Sequence, residues 1–200
     1  MDETVATPFC SCGDVNEIAC INNWMQFSDL AKHYVRSADA LVNAALNDHM
    51  LLDVHVQPLC FLYRHGLELI LKDLAWKSHY LTTGTKIFAQ KKCGELGKHQ
   101  LTSLWRFANE AARTVLGSDW PLDSNGSREV ESLLANIEEH DPGSYSFRYP
   151  IGIGRSQGKT HPQLENVNIR AVRDSVNDIF ARIEAILDLI DYCIEECGNA

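Results

Sequence analysis

Apolar residues recur at three- and four-residue steps along most of this chain. From Asn23 to Asn47 the stripe is Trp24, Phe27, Ala31, Tyr34, Ala38, Leu41 and Ala45. That period predicts a long first helix. The small residues at Ala31, Ala38 and Ala45 predict close packing along it. Residues 48–56 read as a connection. The next stretch, Gln57 to Tyr80, is apolar around more of its circumference. Leu59, Leu62, Tyr63, Gly66, Leu67, Leu69, Ile70, Leu71 and Leu74 cover roughly 200° of a helical surface at about 100° per residue. A helix this apolar is buried on most sides, so it is expected at the centre of a bundle. Pro58 suits a first helical position, where its missing N–H is no loss. Gly66 in mid-helix costs about 1 kcal/mol against Ala and predicts close approach of a neighbouring helix. Thr82-Thr83-Gly84-Thr85 ends the segment.

A third helix is predicted from His99 to Gly117, on Leu101, Leu104, Trp105, Ala108, Ala112 and Val115, with Gly117 as its C-cap. A fourth, shorter helix runs from Arg128 to Glu139 on Val130, Leu133, Leu134 and Ile137, and Asp141-Pro142-Gly143 stops it. The last starts at Asn168, an N-cap residue, and reaches about Cys197 on Ile169, Val172, Val176, Ile179, Ile183, Ile186, Ile190 and Ile194. Between the last two, residues 141–167 are irregular. Tyr145, Phe147, Tyr149 and Ile151 alternate with other residues, which allows a short strand or a hairpin returning after Gly158. The expected fold is all-α: an up-and-down bundle of four to five helices, with a long irregular loop or small β-hairpin before the last. Residues 1–21 form a loose lead-in to a single domain over 22–200. The long seam of the last helix would also serve a homodimer.

The central helix carries one polar stripe. Arg64, His65, Glu68 and Lys72 fall within roughly 100° of one another. Arg64 and Glu68 are at i,i+4, as are Glu68 and Lys72. Such a ladder is either the solvated face of the helix or a half-buried ionic cluster that positions a loop or binds phosphate. The irregular segment supplies cations at Arg148, Arg155, Lys159 and His161. An Arg on an apolar loop needs a partner when buried, so Arg148 is expected either to bridge to Glu68 or to bind an anion. Lys86, Lys91, Lys92 and Lys98 make a basic connector that is either a solvated loop or an anion-binding one.

Composition narrows the field. The chain has 200 residues, 45 % hydrophobic and 22 % charged, which suits one globular domain rather than a disordered chain. A net charge of −9 disfavours a broad nucleic-acid footprint and leaves room for a local one. The acidic helical stretches 129–141 and 184–196 are either solvated or mask a basic partner protein. No apolar run approaches the roughly 20 residues that span a bilayer, and the start of the chain lacks a signal pattern. A cytoplasmic location without a membrane partner is expected. Seven cysteines in a reducing compartment are read as thiols. Cys10 and Cys12 with Cys193 and Cys197 could form a zinc site if the termini met, but thiols are the simpler reading, and no metal or other cofactor is expected.

Three pieces stand in a definite order: Glu68-x-x-x-Lys72, His99-x-Leu101-x-x-Leu104 and Arg148-Tyr149-Pro150. Over about Trp24 to Cys193 their order resembles the HEPN superfamily of small helical bundles found in prokaryotic nucleotidyltransferase-linked, toxin–antitoxin and phage-defence systems. The resemblance implies action on RNA or a nucleotide, beside a cognate protein partner. Many family members resemble metal-independent ribonucleases that pair an Arg and a His about four to six residues apart across a dimer. Arg155 and His161, with five residues between them, have that spacing. Gly158 and Pro162 make the segment a poor helix, a departure from the pattern. By chemistry alone, His65 or His99 would move protons, and Arg64 or Arg148 would hold a phosphate, with Tyr149 beside the cluster. A non-catalytic binding or regulatory subunit is the alternative.

Overall fold

The computed structural model describes residues 26–84, 97–141, 143–144, 146–148 and 166–198. It is all-helical: α1 (Phe27–Asn47), α2 (Leu52–Thr83), α3 (Leu101–Leu116), α4 (Ser124–His140) and α5 (Ile169–Gly198). No strand occurs among the described residues; residues 143–144 and 146–148 form turns and a bend.

Helix α2 is the axis of the bundle, with α1, α3 and α5 packed around it. Leu59, Leu67, Ile70, Leu71 and Leu74 on α2 are fully buried. So are Ala31, Ala38, Val42 and Ala45 on α1, Ala108 and Ala112 on α3, and Ile179, Ile183, Ile186 and Ile190 on α5. The middle of the α5 seam is thus buried within one chain, while Val172 and Ile194 toward its ends are half-buried. Helices α1 and α5 run antiparallel: Lys32 meets Glu184, and Asp39 meets Asn177. Gly66 sits directly against α1. A Cβ there would lie 2.9 Å from Val35 Cγ2 and 3.2 Å from the Ala31 carbonyl. The small residues at both positions let the backbones approach.

Several boundaries move. Helix α2 starts at Leu52 rather than Gln57, fed by a 3₁₀ turn over His49–Leu51 that Asp48 caps through its contact with the Met50 N–H. Pro58 therefore lies inside the helix and not at its first position. It leaves the Val54 carbonyl without a helical donor, near an end exposed enough for Val54 to be 62 % accessible. Gly84 closes α2 in the left-handed region at φ 65°. His99 precedes α3 instead of opening it; Gln100 is the N-cap residue. Helix α4 begins at Ser124, four residues early, because Asp123 caps it through a 2.6 Å bond from the Gly126 N–H. Gly117 and Asn168 cap α3 and α5 as their sequence positions predict. No helix among the described residues is long and apolar enough to cross a membrane.

Candidate functional site

The ladder on α2 is not a solvated face. Arg64 is 0 % and Glu68 1 % exposed. A lone charge buried this deeply is very unfavourable unless paired, and each of the three nitrogens of Arg64 has an acceptor. Its Nη1 donates to Glu68 Oε2 at 2.8 Å. Its Nε donates to the Asp141 carbonyl at 3.2 Å and lies 3.2 Å from the Asp141 carboxylate. Its Nη2 donates to the His99 carbonyl. Asp141 in turn accepts the Ser146 N–H through Oδ1 at 2.8 Å and shapes the turn that follows α4. The irregular segment is therefore tied to α2 by Arg64 and Asp141.

Glu68 is the electrostatic centre. Its second oxygen accepts from Lys72 Nζ at 2.7 Å and lies 2.9 Å from His99 Nδ1. Burial opposes ionisation of this carboxyl, but Lys72, His99 and Arg64 overcome it and hold the pKa at about 2. An ionised carboxylate can only accept, so the proton between them belongs to His99 Nδ1. The other ring nitrogen, Nε2, is left for an outside partner, on a side chain that is 48 % exposed. This is the carboxylate–imidazole arrangement that fixes a histidine tautomer for proton transfer.

His65 lies three residues before Glu68, half-buried, stacked on Phe61 at 5.6 Å and edge-on to Tyr34 at 4.6 Å. Burial lowers its pKa, opposed by Glu68 and assisted by Lys72, Arg64 and Arg148. The ring is thereby kept neutral at physiological pH. Arg148 is exposed; its Nε donates to the Ser144 carbonyl and its guanidinium lies 5.5 Å over the Phe61 ring. The buried Glu68 carboxylate thus gathers Arg64, Lys72 and His99, with His65 one turn before it on α2 and exposed Lys98 beside His99 in the chain. The expected Arg148–Glu68 bridge does not form: Arg64 takes that place on the carboxylate, and Arg148 lies over Phe61, near His65. Arg155, His161 and Tyr149 lie outside the described residues, as do Lys86, Lys91, Lys92, Cys10 and Cys12. Cys193 is half-buried and Cys197 exposed, both as free thiols, and no His, Cys, Asp and Glu group suited to a metal occurs among the described residues.

Three polar elements escaped the sequence reading. Asp141 was visible only as part of a helix stop. Buried Asp73 and Lys77 form an i,i+4 pair at 3.2 Å, and Lys77 reaches Asp191 of α5 at 2.7 Å. Their spacing is the same signal that marks Arg64 and Glu68. Tyr63 donates to Asp39 at 2.6 Å, and Asn177 donates to the same carboxylate at 3.3 Å, which pins α1, α2 and α5 together.

Several residues of the acidic stretches are engaged within the chain. Glu138 accepts the Thr102 N–H at 2.9 Å and its hydroxyl at 2.6 Å, a cap on α3 supplied by α4. Glu129 pairs with Arg182, Glu131 with Arg106 and Glu184 with Lys32.

No family model matches the chain, and no curated protein or solved structure matches it either.

Proposed function

We propose that this chain is a HEPN-like helical protein that binds RNA or a nucleotide through the cationic rim around Glu68, as part of a prokaryotic defence or toxin–antitoxin type system. The observation that carries the reading is the Glu68–His99 pair. A buried carboxylate orients a half-exposed imidazole, with Lys72 on the same carboxylate and exposed Arg148 over Phe61, beside His65, as the cations for a phosphate. Metal-independent cleavage of RNA needs a base for the 2′-hydroxyl, an acid for the leaving oxygen and a cation on the phosphate. His99 and neutral His65 supply the proton groups, and Arg148 with Lys72 the charge. Arg64 is excluded from phosphate contact by its burial and its paired nitrogens; its role is to hold the site.

A second reading is a non-catalytic binding or regulatory subunit. It is favoured by the same carboxylate, since Glu68 already neutralises much of the charge around it. Masking of a basic partner by the acidic helices has less support, because Glu129, Glu131, Glu138 and Glu184 are engaged inside the chain.

Incubation of the protein with cellular RNA in EDTA tests the first reading. Cleavage that is lost in His99→Ala and weakened in Arg148→Ala is the expected result. Salt-dependent RNA binding without cleavage would select the second reading, and neither binding nor cleavage would end the RNA proposal.

A further inference from the structure

A separate cleft of about 230 Å³ opens where α2, α4 and the start of α5 meet the turn after Asp141. Buried Cys60, Tyr63 and Val176 and half-buried Val172 and Phe147 line it, and the buried ones are taken as its floor. The polar groups of the floor are spent. The Tyr63 hydroxyl goes to Asp39, and the Arg64 guanidinium goes to Glu68, Asp141 and His99. What enters the cleft therefore meets an apolar surface with no free charge, which disfavours a carboxylate or an ammonium group. The mouth is different. Asn136, His140 and Asn166 stand there with no side-chain hydrogen bond among the described residues, and Asn168 uses its carbonyl oxygen on the Ala171 N–H, which leaves its amide donor. The volume falls below the roughly 300–1,000 Å³ of sites for drug-sized ligands, so the occupant is a single small ring system. Its body is apolar and flat enough to lie against Tyr63 and Phe147. Its edge carries both donors and acceptors to match carboxamides and an imidazole.

We infer that the cleft is a binding pocket for one nucleobase, read along its edge by Asn136, His140 and Asn166. The inference rests on the RNA or nucleotide reading and deepens it. Phe147, which lines the cleft, is followed directly by Arg148 over Phe61, so a base in the cleft and its phosphate on the rim are contacted by consecutive residues of one turn.

The test is titration of the full chain with adenosine and with uridine, which carry no phosphate, followed through the side-chain amide signals of Asn136 and Asn166. Indole serves as a ring without a carbonyl or amide edge. At least one nucleoside is expected to bind with little salt dependence, to bind more tightly than indole, and to shift both amide signals. Ala171→Trp places bulk at an exposed lining position without touching the core, and is expected to weaken binding about tenfold or more. Asn166→Leu is expected to do the same for the nucleoside and to leave indole unaffected. Adenosine monophosphate and a short oligoribonucleotide, compared in parallel, distinguish a free nucleotide from an RNA strand as the source of the base. Failure of both nucleosides to bind, equal binding of indole, or indifference to Ala171→Trp would overturn the inference. If the oligoribonucleotide still binds in that case, the rim stands and only the cleft is wrong. If nucleosides bind while the oligoribonucleotide shows no salt-dependent affinity, the cleft stands and the rim is wrong.

Discussion

Arg64 and Asp141 are 77 residues apart in the chain, and the guanidinium Nε reaches both the carbonyl and the carboxylate of the aspartate at 3.2 Å. A charge this enclosed stabilises only while every donor stays occupied. Removing one partner of a buried pair typically costs about 3–5 kcal/mol, because the other is left uncompensated. Arg64→Ala is therefore expected to lose about that much in urea unfolding. Arg64→Lys should recover little, since one ammonium cannot bond Glu68, Asp141 and the His99 carbonyl together. A loss below about 1 kcal/mol for Arg64→Ala would show the cluster to be solvated.

Acid should lower the stability of the protein over two pH ranges. The pKa of Glu68 is held near 2 in the fold, against an ordinary value of 4.5. The unfolded chain thus binds a proton more readily, and the stability Glu68 contributes is full above pH 4.5 and lost as pH falls toward 2. His65 is also lowered, from an ordinary 6.5, mainly by burial. Its contribution is full above that value and begins to fall away below it. Chemical denaturation across this range should show stability declining from about pH 6.5 and more steeply below 4.5. His65→Gln should flatten the upper part and Glu68→Gln the lower.

Gly66→Ala ought to destabilise, although alanine is the better helix former by about 1 kcal/mol. The added methyl would meet Val35 Cγ2 at 2.9 Å and the Ala31 carbonyl at 3.2 Å. Val35 can turn aside, but the backbone oxygen cannot. A net loss of about 1–3 kcal/mol is expected from thermal unfolding, with partial recovery in the Val35→Ala background.

Lys77 is the counter-ion of Asp73, whose side chain is fully buried. Lys77→Met should cost about 3 kcal/mol or more near neutral pH, and a second change, Asp73→Leu, should restore much of it. Asp191→Asn should cost less than about 1 kcal/mol, because that carboxylate is 45 % exposed. Equal losses for Asp191→Asn and Lys77→Met would contradict this ordering.

The bundle was legible because its signal is periodic and redundant. Eight Ile and Val positions on α5 and the near-continuous apolar surface of α2 can be read without knowing what they touch. Helix starts were less legible. Asp123 is a conventional cap residue, but Asn125 and Gly126 after it resemble a turn in sequence, and the bond from the Gly126 N–H to the Asp123 carboxylate is what makes them a first helical turn. Pro58 misled for a related reason: a first-position proline and one in the second turn look the same in sequence. The site was half legible. The i,i+4 spacing marked Arg64, Glu68 and Lys72 as a ladder, but spacing does not say whether water lies outside it. That depends on the carbonyls of His99 and Asp141, which any residue at those positions would provide and which therefore leave no trace in sequence.

Because Arg64 grips the segment entering α3 through the His99 carbonyl and the segment leaving α4 through Asp141, these two surface stretches are fastened to a single point on α2. Neither can swing without releasing a donor inside the bundle. A ligand that displaced the turn carrying Phe147 and Arg148 would pull on the same guanidinium that steadies the backbone of His99. Occupancy at one edge of the helix would then be felt as a change of alignment at the other.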